Sequence, residues 1–296
     1  MKLPRRQFLH LAATAATLPA VSRFASAQSY PTRPVHLIEG FGAGSATDIV
    51  ARLIGQSLSE QLGQSFVVEN RSGASSSIAT EAVVRASPDG YTLLLVSSAN
   101  AINATMFKLN FDIIRDIAPV AGIVRVPLVM EVHPSVPART VAEFIAYAKA
   151  IPGKVNMASA GTLTQMAAEM FKMMAGLDLF HVPYRGAQVF PALLAGEAQV
   201  YFGPLLSSIG YVRAGNLRAL AVTTTTRSDV LPDVPVLSDT LPDYEASAWF
   251  GIGAPKSTPA ELIERLNKEV NISIADPKFK ARLANLGGTV LGRLAG

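Results

Sequence analysis

From Val35 onward the chain alternates short apolar runs with amphipathic stretches of helical period. Val35, Leu37 and Ile38 read as a strand, and Ile49, Val50, Leu53, Ile54, Leu58 and Leu62 recur at the spacing of one helix face over 48–62. The pattern then repeats. Runs at 65–69 and 91–96 read as strands around a helix at 78–86, and the turn Pro88-Asp89-Gly90 introduces the second strand. The apolar stretch 120–132, interrupted by Arg125 and Pro127, reads as a strand pair or a crossing segment leading into a second domain. Beyond it, Thr140 to Glu143 is a capping box that opens a helix to Ala150. A strand at 155–157 leads to a helix carrying Met166, Ala167, Met170, Phe171 and Met174, whose methionines are expected to fill the core. Strands at 181–184, 199–202 and 217–222, and a helix at 187–194, follow. The segment 246–253, with Trp249, reads as a strand crossing back. Thr258-Pro259 then predicts a capped helix to about Ile274, and Asp276-Pro277 starts another. This βαβ alternation predicts an α/β protein with parallel or mixed sheets flanked by helices.

Two strand-to-helix loops carry the candidate chemistry. In Phe41-Gly42-Ala43-Gly44-Ser45-Ala46-Thr47-Asp48, Gly42 and Gly44 allow tight turns and close approach of a ligand to the main chain. Thr47 or Asp48 can cap the helix that follows, whose first-turn N–H groups make an anion site. Ala158-Ser159-Ala160-Gly161-Thr162-Leu163-Thr164 repeats the logic in the second half, so two such loops could face each other across a cleft. Ser97-Ser98-Ala99-Asn100 follows a strand, at the end of an open sheet where ligands usually sit.

Composition narrows the class. The first 27 residues read as a twin-arginine export signal: Arg5-Arg6-Gln7-Phe8-Leu9, an Ala- and Thr-rich stretch, and the small-residue cleavage site Ala25-Ser26-Ala27. That segment holds Lys2, Arg5, Arg6 and Arg23 and no acid, so 26 basic residues fall to 22, against 22 acidic, and the mature chain is formally neutral. No basic stripe or zinc spacing points to nucleic acid. Zero cysteines exclude a disulfide scaffold, a thiolate nucleophile and a cysteine metal site. The mature length favours two domains over one. With His36, His133 and His181 as the mature chain's histidines, few catalytic or metal constellations are available, and no nucleophile-elbow pattern occurs. No cofactor is expected.

Seven motifs in register give a resemblance over essentially all of the chain after the signal. They are the glycine loop ending in Thr47-Asp48, Val68 to Ala74, Pro88 to Leu93, His181 to Gly186, Leu217 to Val222, Leu231 to Pro235, and Trp249-Phe250-Gly251. Together they resemble the Bug-type periplasmic receptors of tripartite tricarboxylate transporters. The resemblance implies a two-lobed, clamshell-like periplasmic-binding-protein fold: two α/β domains joined by two crossing strands. Lobe 1 is expected over 28–125 plus 249–296 and lobe 2 over 126–248. It implies a monomeric periplasmic receptor that captures a small carboxylate or amide between the lobes and hands it to membrane transporter subunits. A membrane sensor as partner, or a hydrolase or isomerase using the same cleft, are the alternatives.

The family's ligand-gripping loops match Phe41 to Asp48 and Ser159 to Thr164. The candidate ligand-binding residues are Phe41, Gly42, Gly44, Ser45, Thr47, Asp48, Ser98, Asn100, Ser159, Gly161, Thr162, Arg185 and Gly203. Asp48 is either a helix N-terminal acid or an organiser of bridging water. Ser159 and Thr162 either cap a helix or touch ligand, and Arg185 either pairs with a carboxylate or forms a structural salt bridge. His181 reads as a core histidine, while Trp249 fits either the cleft or the interdomain core. Three departures from the family pattern stand out. Gln165 replaces a usual histidine, and Gly203 replaces a usual aspartate, which argues against an amino-bearing ligand. The chain also stops at Gly296, where members usually continue through a further helix.

Overall fold

The computed structural model describes residues 30–291, and the export-signal reading lies outside them. Strand β1 (Val35–Glu39) is almost wholly buried, as a strand flanked by neighbours on both edges and helices on its faces must be. It leads to α1 (Ala46–Leu62) and pairs in parallel with β2 (Phe66–Asn70) and, after α2 (Ser77–Val84), with β3 (Thr92–Ser97). Helix α3 (Ser98–Met106) follows β3 without a break. The short α4 (Ile113–Asp116) then leads into β4 (Ile117–Val132).

Strand β4 is the spine of the molecule. Through Pro127 it pairs antiparallel with β9 (Ser247–Pro255), which also pairs with β3, and it takes β10 (Thr289–Val290) on the same stretch. From Leu128 its partners are β7 (Val200–Pro204) and β8 (Arg218–Val222). The remainder of this second half is α5 (Val141–Ala150), β5 (Asn156–Ser159), α6 (Thr162–Ala175), β6 (Phe180–Pro183), α7 (Val189–Leu194) and α8 (Leu205–Arg213), with β5 parallel to both β6 and β7. Helices α9 (Ala260–Ala275) and α10 (Pro277–Asn285) pack beside the first half. The result is the expected two-lobed α/β fold, with β4 and β9 running between the lobes. The stretch expected as a strand pair or crossing segment is one continuous 16-residue strand.

A tilted aromatic row, Phe144, Phe171, Phe202 and Tyr244, fills the second lobe, with neighbouring centroids 6.0, 5.2 and 6.4 Å apart. The methionines of α6 do not fill it: Met166 and Met174 are exposed and Met170 is half-buried. Small residues, Ala167, Ala168 and Ala175, form the buried face instead, and they let α6 lie close against the sheet. The helix expected to be capped by Thr258 starts at Ala260 after Pro259, and the buried Thr258 hydroxyl has no partner. Asp276 does cap α10, accepting the N–H of Lys278 at 2.8 Å and of Phe279 at 2.9 Å.

Candidate functional site

The loop between β1 and α1 is strapped from behind by two acids. Glu39, fully buried at the end of β1, accepts the N–H of Phe41 at 2.9 Å and of Gly42 at 2.8 Å. Asp48 accepts the Gly44 N–H at 3.0 Å, the Arg52 Nε at 3.0 Å and the Asn70 amide at 2.8 Å. The Asn70 amide also reaches Glu39. Burial raises the pKa of Glu39, and its bonds to Asn70, Phe41 and Gly42 offset this only in part. Burial pushes Asp48 upward too, but Arg52, Asn70 and the Gly44 N–H outweigh it and hold the carboxyl below its usual range.

Gly42 and Gly44 take φ values of 86° and 79°, a left-handed turn that glycine makes at little cost. Ser45 emerges extended, and its hydroxyl accepts the Asp48 N–H at 3.1 Å. The cap is therefore Ser45, not Thr47 or Asp48, because only Ser45 has the extended backbone an N-cap requires. Helix α3 is capped reciprocally, with the Ser97 N–H donating to Asn100 Oδ1 at 2.7 Å. The Asn100 amide donates to Thr80 at 2.7 Å, which fixes the start of α3 against α2.

Between the lobes lies a cavity of about 60 Å³. One water needs at least about 10–15 Å³, so this space suits a few waters or one small organic molecule. Four helices bring their N-terminal turns to it: Ala46 and Thr47 of α1, Ser98 and Ala99 of α3, Leu163 and Thr164 of α6, and Ser207 of α8. First-turn N–H groups have no partner inside their own helix, and each N-terminus carries roughly half a positive charge. Ser98 is 6% exposed and its buried Oγ has no partner. The remaining wall is mainly apolar, with Phe41, Phe190, Tyr201 and Phe250 the largest members, and among the described residues no charged side chain lines it.

The two lobes touch at the cavity's rim. Thr162 Oγ1 donates to Asn103 Oδ1 at 2.9 Å, and a β-carbon at Gly161 would lie 2.5 Å from the Phe41 ring. Of the predicted residues, Phe41, Ser45, Thr47, Ser98 and Gly161 meet at the cavity. Gly42 and Gly44 shape the first loop, and Asp48 and Asn100 hold two helix starts from behind. Ser159 pairs with His181 Nε2 at 2.7 Å, and Thr162 bridges the lobes. Arg185 is exposed and not among the lining residues, and Gly203 makes room for the Tyr201 ring and Ser208. Trp249 is 38% exposed and outside the cavity, while its neighbours Ala248 and Phe250 line it. Leu163, Phe190, Tyr201, Ser207 and Phe250 were not expected there. The available signals were the position of Leu163 inside the second candidate loop and of Phe250 inside a recognised motif.

Two α/β lobes, strands running between them, and a cavity ringed by helix N-termini define a solute-binding receptor of the clamshell class. The chain belongs to the tripartite tricarboxylate transporter receptor family, whose model matches residues 50–292. It is 34% identical over 273 residues to BugT of Bordetella pertussis, covering 89% of this chain and 83% of that protein. Among solved structures it resembles R. palustris Rpa4515 with adipate, at TM-score 0.85 and 35% identity, over 88% of this chain and 89% of the other. It also resembles MatC of Rhodopseudomonas palustris with bound malate, at TM-score 0.83 and 29% identity, over 88% and 91%. These relatives are solute-binding receptors, and this chain is a solute-binding receptor for a tripartite transporter.

Proposed function

We propose that this receptor captures a small organic carboxylate between its lobes in the periplasm and delivers it, without turnover, to the membrane subunits of its transporter. One observation carries the reading: four helix N-termini and the unpartnered Ser98 hydroxyl converge on a cavity that no cation among the described residues lines. Fixed backbone dipoles of this kind favour a carboxylate. The solved relatives hold adipate and malate, which are small organic carboxylates. Export by the twin-arginine segment 1–27, a monomeric state, and lobe limits of 28–125 plus 249–296 and 126–248 belong to the same proposal. The change of β4's partners between Pro127 and Leu128 supports the lobe division. Among the described residues no helix is long and apolar enough to cross a membrane, and no group of three His, Asp or Glu side chains could hold a metal ion.

A thermal-shift screen of the purified protein against mono-, di- and tricarboxylates, amino acids and amides tests the reading. A ligand at about a hundred times its Kd adds roughly 2.7 kcal/mol. A carboxylate that raises Tm and is recovered unchanged is the expected result. Hits confined to amides or amino acids, or conversion of the ligand, would refute the proposal.

A further inference from the structure

We propose that Tyr201 is the residue that sets the length of ligand this cleft accepts. The proposal rests on the receptor reading above and goes beyond it to what limits the ligand. Tyr201 is 2% exposed and lines the cavity from the second lobe, while Ser98 lines it from the first. Its ring does not stand straight out from β7. A β-carbon at Gly203, two residues on and on the same face of the strand, would lie 2.3 Å from the ring's Cε1 and 2.8 Å from its Cδ1. The ring therefore lies along the strand over Gly203, in space that a side chain at 203 would claim. Its neighbours hold it there. Phe190 meets it edge-on at 6.1 Å and is itself stacked on Tyr211 at 4.5 Å. Ser208 Oγ, 2.8 Å from the same β-carbon position, is fixed by its bond to Glu131 Oε1 at 2.7 Å. The Tyr201 hydroxyl faces the Thr164 side chain at the start of α6.

The ring is thus a floor to the cavity. A carboxylate held at Ser98 and the first turns of α1 and α3 extends toward the second lobe, whatever group it carries at its far end. Each methylene that fills the wall gains about fourfold in affinity. The gain stops where the chain meets Tyr201, because the ring already rests on the Gly203 backbone and is blocked sideways by Phe190. Forcing further atoms into a packed wall costs more than their burial returns. Removing the ring would bare the strand at Gly203 and deepen the cavity by one aromatic thickness, about 3.5 Å, or roughly two methylenes. A β-carbon at 203 acts the other way, tilting the ring into the cavity. Gly203 lies outside the left-handed region, so alanine meets no backbone strain there and its effect is steric.

Calorimetric titration of the purified protein, unfolded and refolded to strip bound solute, tests this with two straight-chain series. One runs from acetate to octanoate and the other from malonate to suberate. In each series that binds, wild-type affinity should rise about fourfold per methylene to an optimum and fall about tenfold within roughly two carbons beyond it. Tyr201→Ala should move the optimum roughly two carbons longer. Tyr201→Phe keeps the ring and should keep the optimum, and Gly203→Ala should move it shorter. Opposite shifts from these variants are not what a general loss of stability produces. Should Tyr201→Ala fail to fold, Tyr201→Leu and Gly203→Ala carry the test. An optimum that stays in place in the alanine and leucine variants, or that moves in Tyr201→Phe as in Tyr201→Ala, would overturn the proposal and leave the receptor reading intact. So would wild-type affinity that climbs without a maximum to octanoate or suberate. Binding of no carboxylate by the wild type would overturn both.

Discussion

The carbonyl oxygen of Phe41, in the first lobe, occupies the place where a β-carbon on Gly186, in the second, would stand. Gly186 also has φ of +50°, so its backbone and its missing side chain serve the same contact. The ring of Phe41 covers Gly161 nearby, so one residue of the first loop seats on two glycines of the opposite lobe. The contact joins the lobes and therefore belongs to the closed form. Gly186→Ala should hold the lobes apart while each lobe remains folded. Ligand affinity should fall at least about tenfold, because the binding-competent form becomes a minor state. Small-angle scattering should show no compaction on addition of ligand. Wild-type affinity with normal compaction would remove this contact from the closing mechanism.

Ser98 makes the opposite kind of prediction. Its hydroxyl is buried and unpartnered, an arrangement that costs about 1–3 kcal/mol until something bonds to it. Ser98→Ala should leave the ligand-free protein as stable as wild type or up to about 1 kcal/mol more stable, and should weaken the bound carboxylate about tenfold. Denaturant melts with and without ligand separate the two effects. Loss of stability without loss of affinity would make Ser98 a packing residue.

The Thr162 to Asn103 bond spans the lobes more gently. Thr162→Val keeps the shape and removes the donor, so the closed form should lose about 0.5–1.5 kcal/mol, and affinity should fall roughly two- to tenfold. The Asn103 amide still holds the Ser75 carbonyl at 2.7 Å, so the first lobe should melt unchanged. Titration calorimetry and thermal melts of the variant check both statements.

The sequence made most strands, most helices and the first loop readable, because the glycines of 42–44 and the apolar period of 49–62 are local signals. The cavity's far wall was not readable. Phe250 reaches it by pairing with Ser97, more than 150 positions earlier, and no local pattern announces such a register. Helix α8 was missed because it follows Gly203-Pro204, which reads as a break, and its first turn mixes serine with leucine. Glu39 went unremarked in the sequence. Its role in anchoring the Phe41 and Gly42 N–H groups depends on the chain folding back over it, which only coordinates reveal.

Glu131 gives a pH prediction whose sign is fixed by its burial. Desolvation pushes its carboxyl up to about 8, only partly opposed by the Ser208 hydrogen bond, and Oε2 has no partner. In the unfolded chain a glutamate titrates near 4.3, so between roughly pH 4.3 and 8 the folded state holds a proton that the unfolded state has released. Stability therefore falls as pH rises through that window, at up to about 1.4 kcal/mol per pH unit from this group, and levels off above it. Glu39, also raised, adds a slope of the same sign, so the informative comparison is wild type against a Glu131 variant. Glu131→Gln keeps an oxygen for Ser208 and cannot ionise. It should melt higher than wild type at pH 7.5, with the gap closing as pH falls toward 5. A constant difference in Tm from pH 5 to 8 would mean that Glu131 does not titrate differently on folding, and the buried acid would then be charged and compensated by neighbours other than Ser208.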